Sequence, residues 1–219
     1  VAIGGKGFAI DRHEVTVGQF RAFATATGTR TKAEREGGGF QYVGGWQRMS
    51  GWTWERPYGR PGRDDEPAVH VTWDEAVAYC RWAGLRLPTD AEWVEAAYTE
   101  RRAAPPAPYV AGRAYPFPTG ETADGANQMD ATAARAFPAP ADKIGRGRGH
   151  VPVATTTAGV NGLYDMGANV WEWVDHEVGG EKRTRGGSWW YGPHQMKVNA
   201  LYEKARDFPA VYIGFRCAK

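Results

Sequence analysis

Residues 161–174 read NGLYDMGANVWEWV, and RGGSWW, Arg185 to Trp190, follows after a short charged interval. This pair of segments decides the fold. The turn signal Asn161-Gly162, the carboxylates Asp165 and Glu172, and the neighbouring indoles Trp171 and Trp173 fit neither a helical period nor strict alternation. The sequence therefore predicts irregular backbone from Asn161 to Val174. Such backbone leaves carbonyl oxygens free to turn toward a cation, and a hard ion such as calcium takes several oxygens, at least one or two of them anionic. Asp165 and Glu172 can supply the charge, with the carbonyls of Ala168 and Val170 between them. The plainer alternative has Asp165 capping a turn and Glu172 paired with an arginine; the residues by themselves weigh equally for both.

Outward from this stretch, three short helices declare themselves by their caps. Thr16 with Gln19, Thr72 with Glu75, and Thr89 with Glu92 have the capping-box spacing, in which hydroxyl and partner satisfy each other's backbone donors. Gly28 follows the apolar positions Val17, Phe20, Phe23 and Ala24, and Gly84 follows Ala76, Val77, Cys80 and Ala83, as helix ends require. The third helix carries Trp93, Ala96 and Ala97. Between the first two, Thr31 to Glu66 is rich in Gly, Trp and Arg and reads as a long ordered loop serving a binding surface. Arg101 to Ala114 and Ala131 to Asp142 are Ala/Pro-rich and read as surface excursions. Short strands are expected at Gly7 to Ile10, Val151 to Thr155, Thr184 to Ser188 and Val211 to Ala218. The predicted class is an irregular α+β domain occupying residues 1–219.

The chain has 219 residues, net charge +2 and intermixed Lys, Arg, Asp and Glu, so nothing argues for a nucleic-acid partner. No apolar run reaches the roughly eighteen residues of a membrane span. It opens at Val1 rather than Met, so a processed or truncated product is expected, whose signal peptide would already be gone. Twenty-nine Gly, ten Trp and ten Tyr describe a loop-rich aromatic fold. Dinucleotide, phosphate-loop, nucleophile-elbow and zinc-protease signatures are absent. The five histidines, His13, His70, His150, His176 and His194, lack metal-ligand spacing; His176 and His194 flank the aromatic cluster and are candidates for substrate or metal contact. Cys80 and Cys217 are either a bridge, which points to an oxidising compartment, or two buried thiols.

The segments FAIDRHEVTVGQFRAF, PAVHVTWDEAVAYCRWAGLRLPTDAEW, GLYDMGANVWEWV, RGGSWW and GFRCA, in that order, resemble the formylglycine-generating enzyme or sulfatase-modifying factor family over nearly the whole chain. The resemblance implies an irregular variant of the C-type-lectin-like fold with structural calcium. It assigns one calcium site to Asp165, Glu172 and backbone oxygens near Ala168 and Val170. Another begins at Asn127, for which Asp142 is the candidate acidic partner. It pairs Cys80 with Cys217 in a disulfide, and hence implies a periplasmic or secreted protein.

The family's catalysts hold copper(I) with two cysteines after RGGS, and copper(I) needs soft thiolates. Here those positions hold Tyr191 and Met196, and the family's asparagine before GFRC falls near Tyr212. Copper and formylglycine generation are therefore not expected. The resemblance leaves a cleft in which Trp171 and Ser188 match family active-site positions. Trp189, Trp190, Tyr191, His194, Gln195 and Met196 line or border it, with His176 beside it. Tyr191, His194 and Ser188 are the catalytic candidates, and the others are substrate-binding candidates. For Trp171 and Trp173 a core role is the competing reading.

Three functions fit this pattern. The first is maturation by oxidation of a peptide-derived siderophore precursor, as in completion of a pyoverdine chromophore. It is the work of a cysteine-less branch of the family and requires an electron acceptor that the sequence does not name. The second is a non-catalytic paralogue that binds peptides or regulates an active relative. The third is a lectin-like ligand-display module. A monomer is expected in each case.

Overall fold

A computed structural model of the protein describes residues 1–129 and 149–219. The expected excursion Ala131 to Asp142, with Asp142 as a calcium ligand, lies outside the described residues.

The helices begin where the capping boxes place them. Helix α1, Val17–Thr27, starts at Thr16, whose hydroxyl accepts from the Gln19 N–H at 3.1 Å while the Gln19 side chain accepts from the Thr16 N–H at 2.9 Å; it stops at Gly28, with φ 67°. A further box, Thr31 with Glu34, starts the one-turn helix α2, Lys32–Arg35. Helices α3, Trp73–Trp82, and α4, Asp90–Tyr98, carry the expected boxes at Thr72 and Thr89. Helix α2 falls in the stretch expected to be a loop, and so does the hairpin of β1, Phe40–Tyr42, with β2, Trp46–Arg48. Elements this short pass beneath any periodicity window.

Strands β3, Trp171–Val178, β4, Glu181–Arg185, β5, Tyr202–Lys204, and β6, Ile213–Gly214, form a sheet in the order β5-β4-β3-β6, with β6 parallel to β3. The β3–β4 turn is Gly179-Gly180, with φ 59° and 86°, the double positive φ that a tight twist-matched hairpin demands. The expectation of irregular backbone thus holds for 161–170 and fails from Trp171 onward. Trp171 and Trp173 enter the larger core while Val174 enters a second one. A strand buried on both faces shows no contrast between inside and outside, which is why the alternation was invisible.

Other strand expectations are corrected as well. Val151 to Thr155 is not a strand. The Val151 N–H donates to Asn169 Oδ1, the Val153 N–H to the Asp65 carbonyl and the Ala154 N–H to Asp165 Oδ2, so donors that a ladder would use go elsewhere. Gly7 to Ile10 contributes only the isolated bridges Ala2–Ala9 and Ile10–Ala218. Within Val211 to Ala218, Ile213–Gly214 is strand. The strand expected over Thr184 to Ser188 ends at Arg185, because Gly186 and Gly187 leave the β region with φ 96° and 83°.

Two cores flank the sheet. The larger packs Phe20, Phe23, Tyr79 and Phe215 with Trp173 and Tyr212; the smaller packs Ile10, Trp93, Leu163 and Val174. Cys80 and Cys217 are bridged, tying α3 to the end of the chain across 137 positions, a loop worth about 5 kcal/mol on chain-entropy grounds.

His70 is buried in this frame with φ 58°, its Nε2 hydrogen donated to the Pro57 carbonyl at 2.9 Å. Burial pushes its pKa down from 6.5 to about 4. The unfolded chain then takes up a proton that the folded one refuses, so stability is fully present above pH 6.5 and falls as the pH drops toward 4. Urea unfolding across this range should lose on the order of 3 kcal/mol from this residue. His70→Asn, which tolerates the positive φ, should flatten that limb. Parallel pH profiles for the two proteins would refute the assignment.

Candidate functional site

The bend preceding β3 is built from side chains that accept a left-handed backbone. Asn161, Asp165, Ala168 and Asn169 all have positive φ, between 52° and 65°. Three of the four are Asn or Asp, the L-residues that tolerate this region best. The bend carries Asp165 inside, where its carboxylate accepts from the Thr156 hydroxyl at 2.6 Å and the Ala154 N–H at 2.8 Å. Asn169 donates to Glu14 at 3.1 Å, and its Oδ1 accepts from Asn127 Nδ2 and the Val151 N–H, each at 2.9 Å.

Glu172 projects from β3 to a fully buried Arg216. The guanidinium donates to both carboxylate oxygens at 2.7 Å, and Trp93 Nε1 donates to one of them at 2.8 Å. The arginine pairing read as the plainer alternative for Glu172 is therefore present.

The electrostatic balance is uneven. Glu14, Asp165 and Glu172 are all buried and close enough to feel one another, with Arg216 as the buried cation among them. Burial, then the charges of Asp165 and Glu172, raise Glu14 well above the usual carboxylate range. Burial also raises Asp165, against the hydrogen bond from Thr156. With all three ionised, three carboxylates against one guanidinium would carry a surplus negative charge that a dication would offset, and every ligand atom present is a hard oxygen, as calcium prefers. Asn127 Oδ1 is likewise buried with no hydrogen-bond partner among the described residues. Among those residues, however, no three His, Cys, Asp or Glu groups converge as a metal cage. A cation here would need the backbone oxygens of Ala168 and Val170 beside Asp165 and Glu172. The donor set fits calcium in charge and hardness. Glu14 and Asn169 belong to this polar core, yet the sequence reading passed over Glu14, because nothing adjacent to it in the chain marks it as buried.

On the other face of β3 lies an aromatic wall. The Trp171 ring is 4.9 Å from Tyr202 and 5.7 Å from Tyr191; Tyr212 is 6.1 Å from both Tyr191 and Trp190 and 5.8 Å from Trp46. The outer edge is the β1–β2 hairpin, where Tyr42 and Trp46 are 45% and 41% exposed. Burial, followed by the neighbouring phenol of Tyr191, pushes the Tyr212 hydroxyl far up, so it stays protonated. Gln195 donates to the Tyr202 hydroxyl at 3.3 Å, and the buried Ser188 hydroxyl accepts from the Trp190 N–H at 3.4 Å.

Not every expected residue is in this wall. Met196 is fully buried, packed with Ala126 and Ala168, while its carbonyl accepts from the Tyr98 hydroxyl at 2.7 Å. Its thioether faces that small core rather than the cleft. Trp189 and Trp173 are buried in the larger core. His194 is exposed on the short 3-10 turn Pro193–Met196, and His176 lies half-buried on the outer half of β3, without a hydrogen bond or ring contact to the wall among the described residues. Tyr202, Tyr42 and Trp46 were missed. They are isolated aromatics in segments with no periodic signal, and only the sheet and hairpin bring them together.

An irregular α+β domain of the C-type-lectin-like class, with a polar core behind its central strand and an aromatic wall before it, is what fold and site define. Residues 2–219 match the sulfatase-modifying factor enzyme 1-like domain, and the chain belongs to that family. It is 29% identical to the formylglycine-generating enzyme of Mus musculus over 97% of this chain and 66% of that protein, and so spans about two thirds of that enzyme's length. It is 32% identical to the inactive C-alpha-formylglycine-generating enzyme 2 of the same organism, covering 97% of this chain and 75% of the relative. Among solved structures, PvdO from Pseudomonas aeruginosa superposes with a TM-score of 0.65 at 24% identity, over 96% of this chain and 79% of that one.

The ion pair behind β3 gives a direct test. Arg216→Met leaves Glu172 buried without its counter-charge and should cost about 3–5 kcal/mol in chemical denaturation. The double change Arg216→Met with Glu172→Gln should recover most of that loss. If the single variant is as stable as the native protein, the pair does not hold the strand.

Proposed function

We propose that this chain is a copper-independent member of its family, which takes a planar, peptide-derived aromatic precursor against the wall of Trp171, Tyr191, Tyr202 and Tyr212 and assists its maturation by oxidation, as for a siderophore chromophore of the pyoverdine kind. The observation that carries the copper-independent half is the disulfide: Cys80 and Cys217 are consumed in it, no cysteine is free, and Met196 is turned into a core. Neither Tyr191 nor a buried thioether supplies the thiolate pair that copper(I) requires. The positive half is supported by the chemistry of the wall. Aromatic faces with few polar groups suit a flat ligand, and the phenols offer hydrogen bonds at its edge. Tyr191 is the candidate proton acceptor or donor within that wall; His194, at the rim, is the second. The electron acceptor is external to this chain, oxygen or a partner oxidase. A periplasmic or secreted location, a monomeric state and structural calcium belong to the same proposal; the bridge supports the location, since disulfides persist in oxidising compartments.

The likeness to the inactive mammalian paralogue favours a second reading, a peptide-binding module without catalysis.

Incubation with a dihydro-chromophore siderophore precursor separates the two. The oxidation reading expects visible absorbance to rise faster than in the protein-free control, and the rise to weaken in Trp171→Leu and Tyr191→Phe. No gain over the control, together with saturable peptide binding, would leave the second reading standing. Both readings expect no aldehyde on a sulfatase-type cysteine peptide.

Calcium would be held by Asp165, Glu172 and the carbonyls of Ala168 and Val170, where it would balance the surplus buried charge. Chelation should lower the melting temperature of the native protein, and added calcium should restore it. Asp165→Asn should be insensitive to both. An identical melting temperature with and without chelator would remove calcium from the proposal.

A further inference from the structure

Beneath the aromatic wall lies a polar cluster that the proposed function does not use. Tyr58, Glu66 and His150 are all buried. The Tyr58 hydroxyl is 3.0 Å from His150 Nδ1 and also accepts from the His150 backbone N–H at 2.9 Å. His150 Nε2 is 3.2 Å from Glu66 Oε2, and Arg60 donates to the other oxygen of Glu66 at 3.2 Å. Burial alone would push Glu66 upward, but the hydrogen bonds from His150 and Arg60, with the charge of Arg60, hold the carboxyl below its usual range. An ionised Glu66 only accepts, so the imidazole hydrogen sits on Nε2. In the neutral tautomer with its hydrogen on Nε2, Nδ1 accepts the phenolic hydrogen of Tyr58. A hydroxyl, a base at hydrogen-bond distance and a carboxylate that orients the base make up a complete proton-transfer unit.

As an acid, Tyr58 is inert, since burial first of all raises its ionisation far beyond the physiological range. As an electron donor it is favoured. A phenol that loses an electron becomes a strong acid, and here its proton has a base already in place, whose new charge Glu66 stabilises. The rings between Tyr58 and the surface form an unbroken series. Tyr58 is 6.5 Å from Trp189, Trp189 is 5.2 Å from Trp190, Trp190 is 6.1 Å from Tyr212 and Tyr212 is 5.8 Å from the exposed Trp46.

We propose that Tyr58 is a redox-active tyrosine that receives oxidising equivalents arising at the cleft. A one-electron oxidant of the radical class, such as a peroxide-derived radical, takes one electron through Trp46, Tyr212, Trp190 and Trp189 and is reduced by one. The Tyr58 O–H bond breaks, the proton binds His150 Nδ1, and a neutral tyrosyl radical beside an imidazolium remains. The series draws such equivalents away from the cleft and its ligand. This inference needs the wall but not the identity of what binds it, so it can fail while the proposed function stands, and the reverse.

The test is flash oxidation of the full chain by ruthenium tris-bipyridine with a cobalt(III) ammine quencher, followed by freeze-trapping and electron paramagnetic resonance. The native protein should give a neutral tyrosyl signal that is lost in Tyr58→Phe and shortened in lifetime in His150→Gln. Trp189→Phe should diminish its yield, with the near-ultraviolet circular dichroism of each variant confirming the fold. In the native protein exchanged into deuterated water, the radical should couple to two exchangeable deuterons, one on the imidazolium Nδ1 and one on the His150 backbone nitrogen, and that deuteron coupling should be weakened in His150→Gln. An undiminished tyrosyl signal in Tyr58→Phe, or a native radical without that deuteron coupling, overturns the proposal.

Discussion

The bidentate contact between Arg216 and Glu172 is the constraint around which the rest of the chain is arranged. It fastens the central strand to the C-terminal segment, which in turn pairs with residues at the beginning of the chain. The Asp11 N–H donates to the Cys217 carbonyl and the Val15 N–H to that of Phe215. Arg216 also donates to the carbonyls of Asp11 and Tyr164, so one guanidinium spans the N-terminal segment, the bend before β3 and the strand itself. A charge buried this deeply is tolerated only when all its donors are used. Here five hydrogen bonds meet at the two side chains, four given by Arg216 to Glu172, Asp11 and Tyr164 and one given by the indole of Trp93 to the carboxylate.

The same strand divides the molecule by chemistry. Alternation sends Trp171 and Trp173 forward and Glu172 and Val174 back, so a polar core of three buried carboxyl groups and one guanidinium and an aromatic wall share one backbone. Relatives within the family are called both generating enzymes and inactive forms. In this chain Tyr191 joins the wall while the Met196 thioether faces a small core. The wall is a dense set of oxidisable rings, Trp171, Trp190, Tyr191, Tyr202 and Tyr212.

Much of the architecture was legible locally. The boxes at Thr16, Thr72 and Thr89 are written in four consecutive residues, and a cap acts within one turn, so composition at that range is sufficient. The box at Thr31 was equally written but hidden in a stretch whose Gly and Trp content argued for loop. Strands were less legible: β3 is buried on both faces, and the segment at Val151 to Thr155 has strand-forming residues whose donors are taken by Asn169, Asp65 and Asp165.

By itself the sequence determined the class of fold, the start of three helices and the irregular backbone of 161–170, the first part of the stretch expected to be irregular from Asn161 to Val174. These depend on residue identity and on neighbours within a few positions. The tertiary structure alone decided that Glu14 joins Asp165 and Glu172, that Met196 faces a core, that Tyr202 and Trp46 complete the wall, and that Tyr58 meets His150. Each of these depends on distances between residues far apart in the chain, and those distances are set by the packing of the sheet and the closure of the termini, which no local pattern encodes.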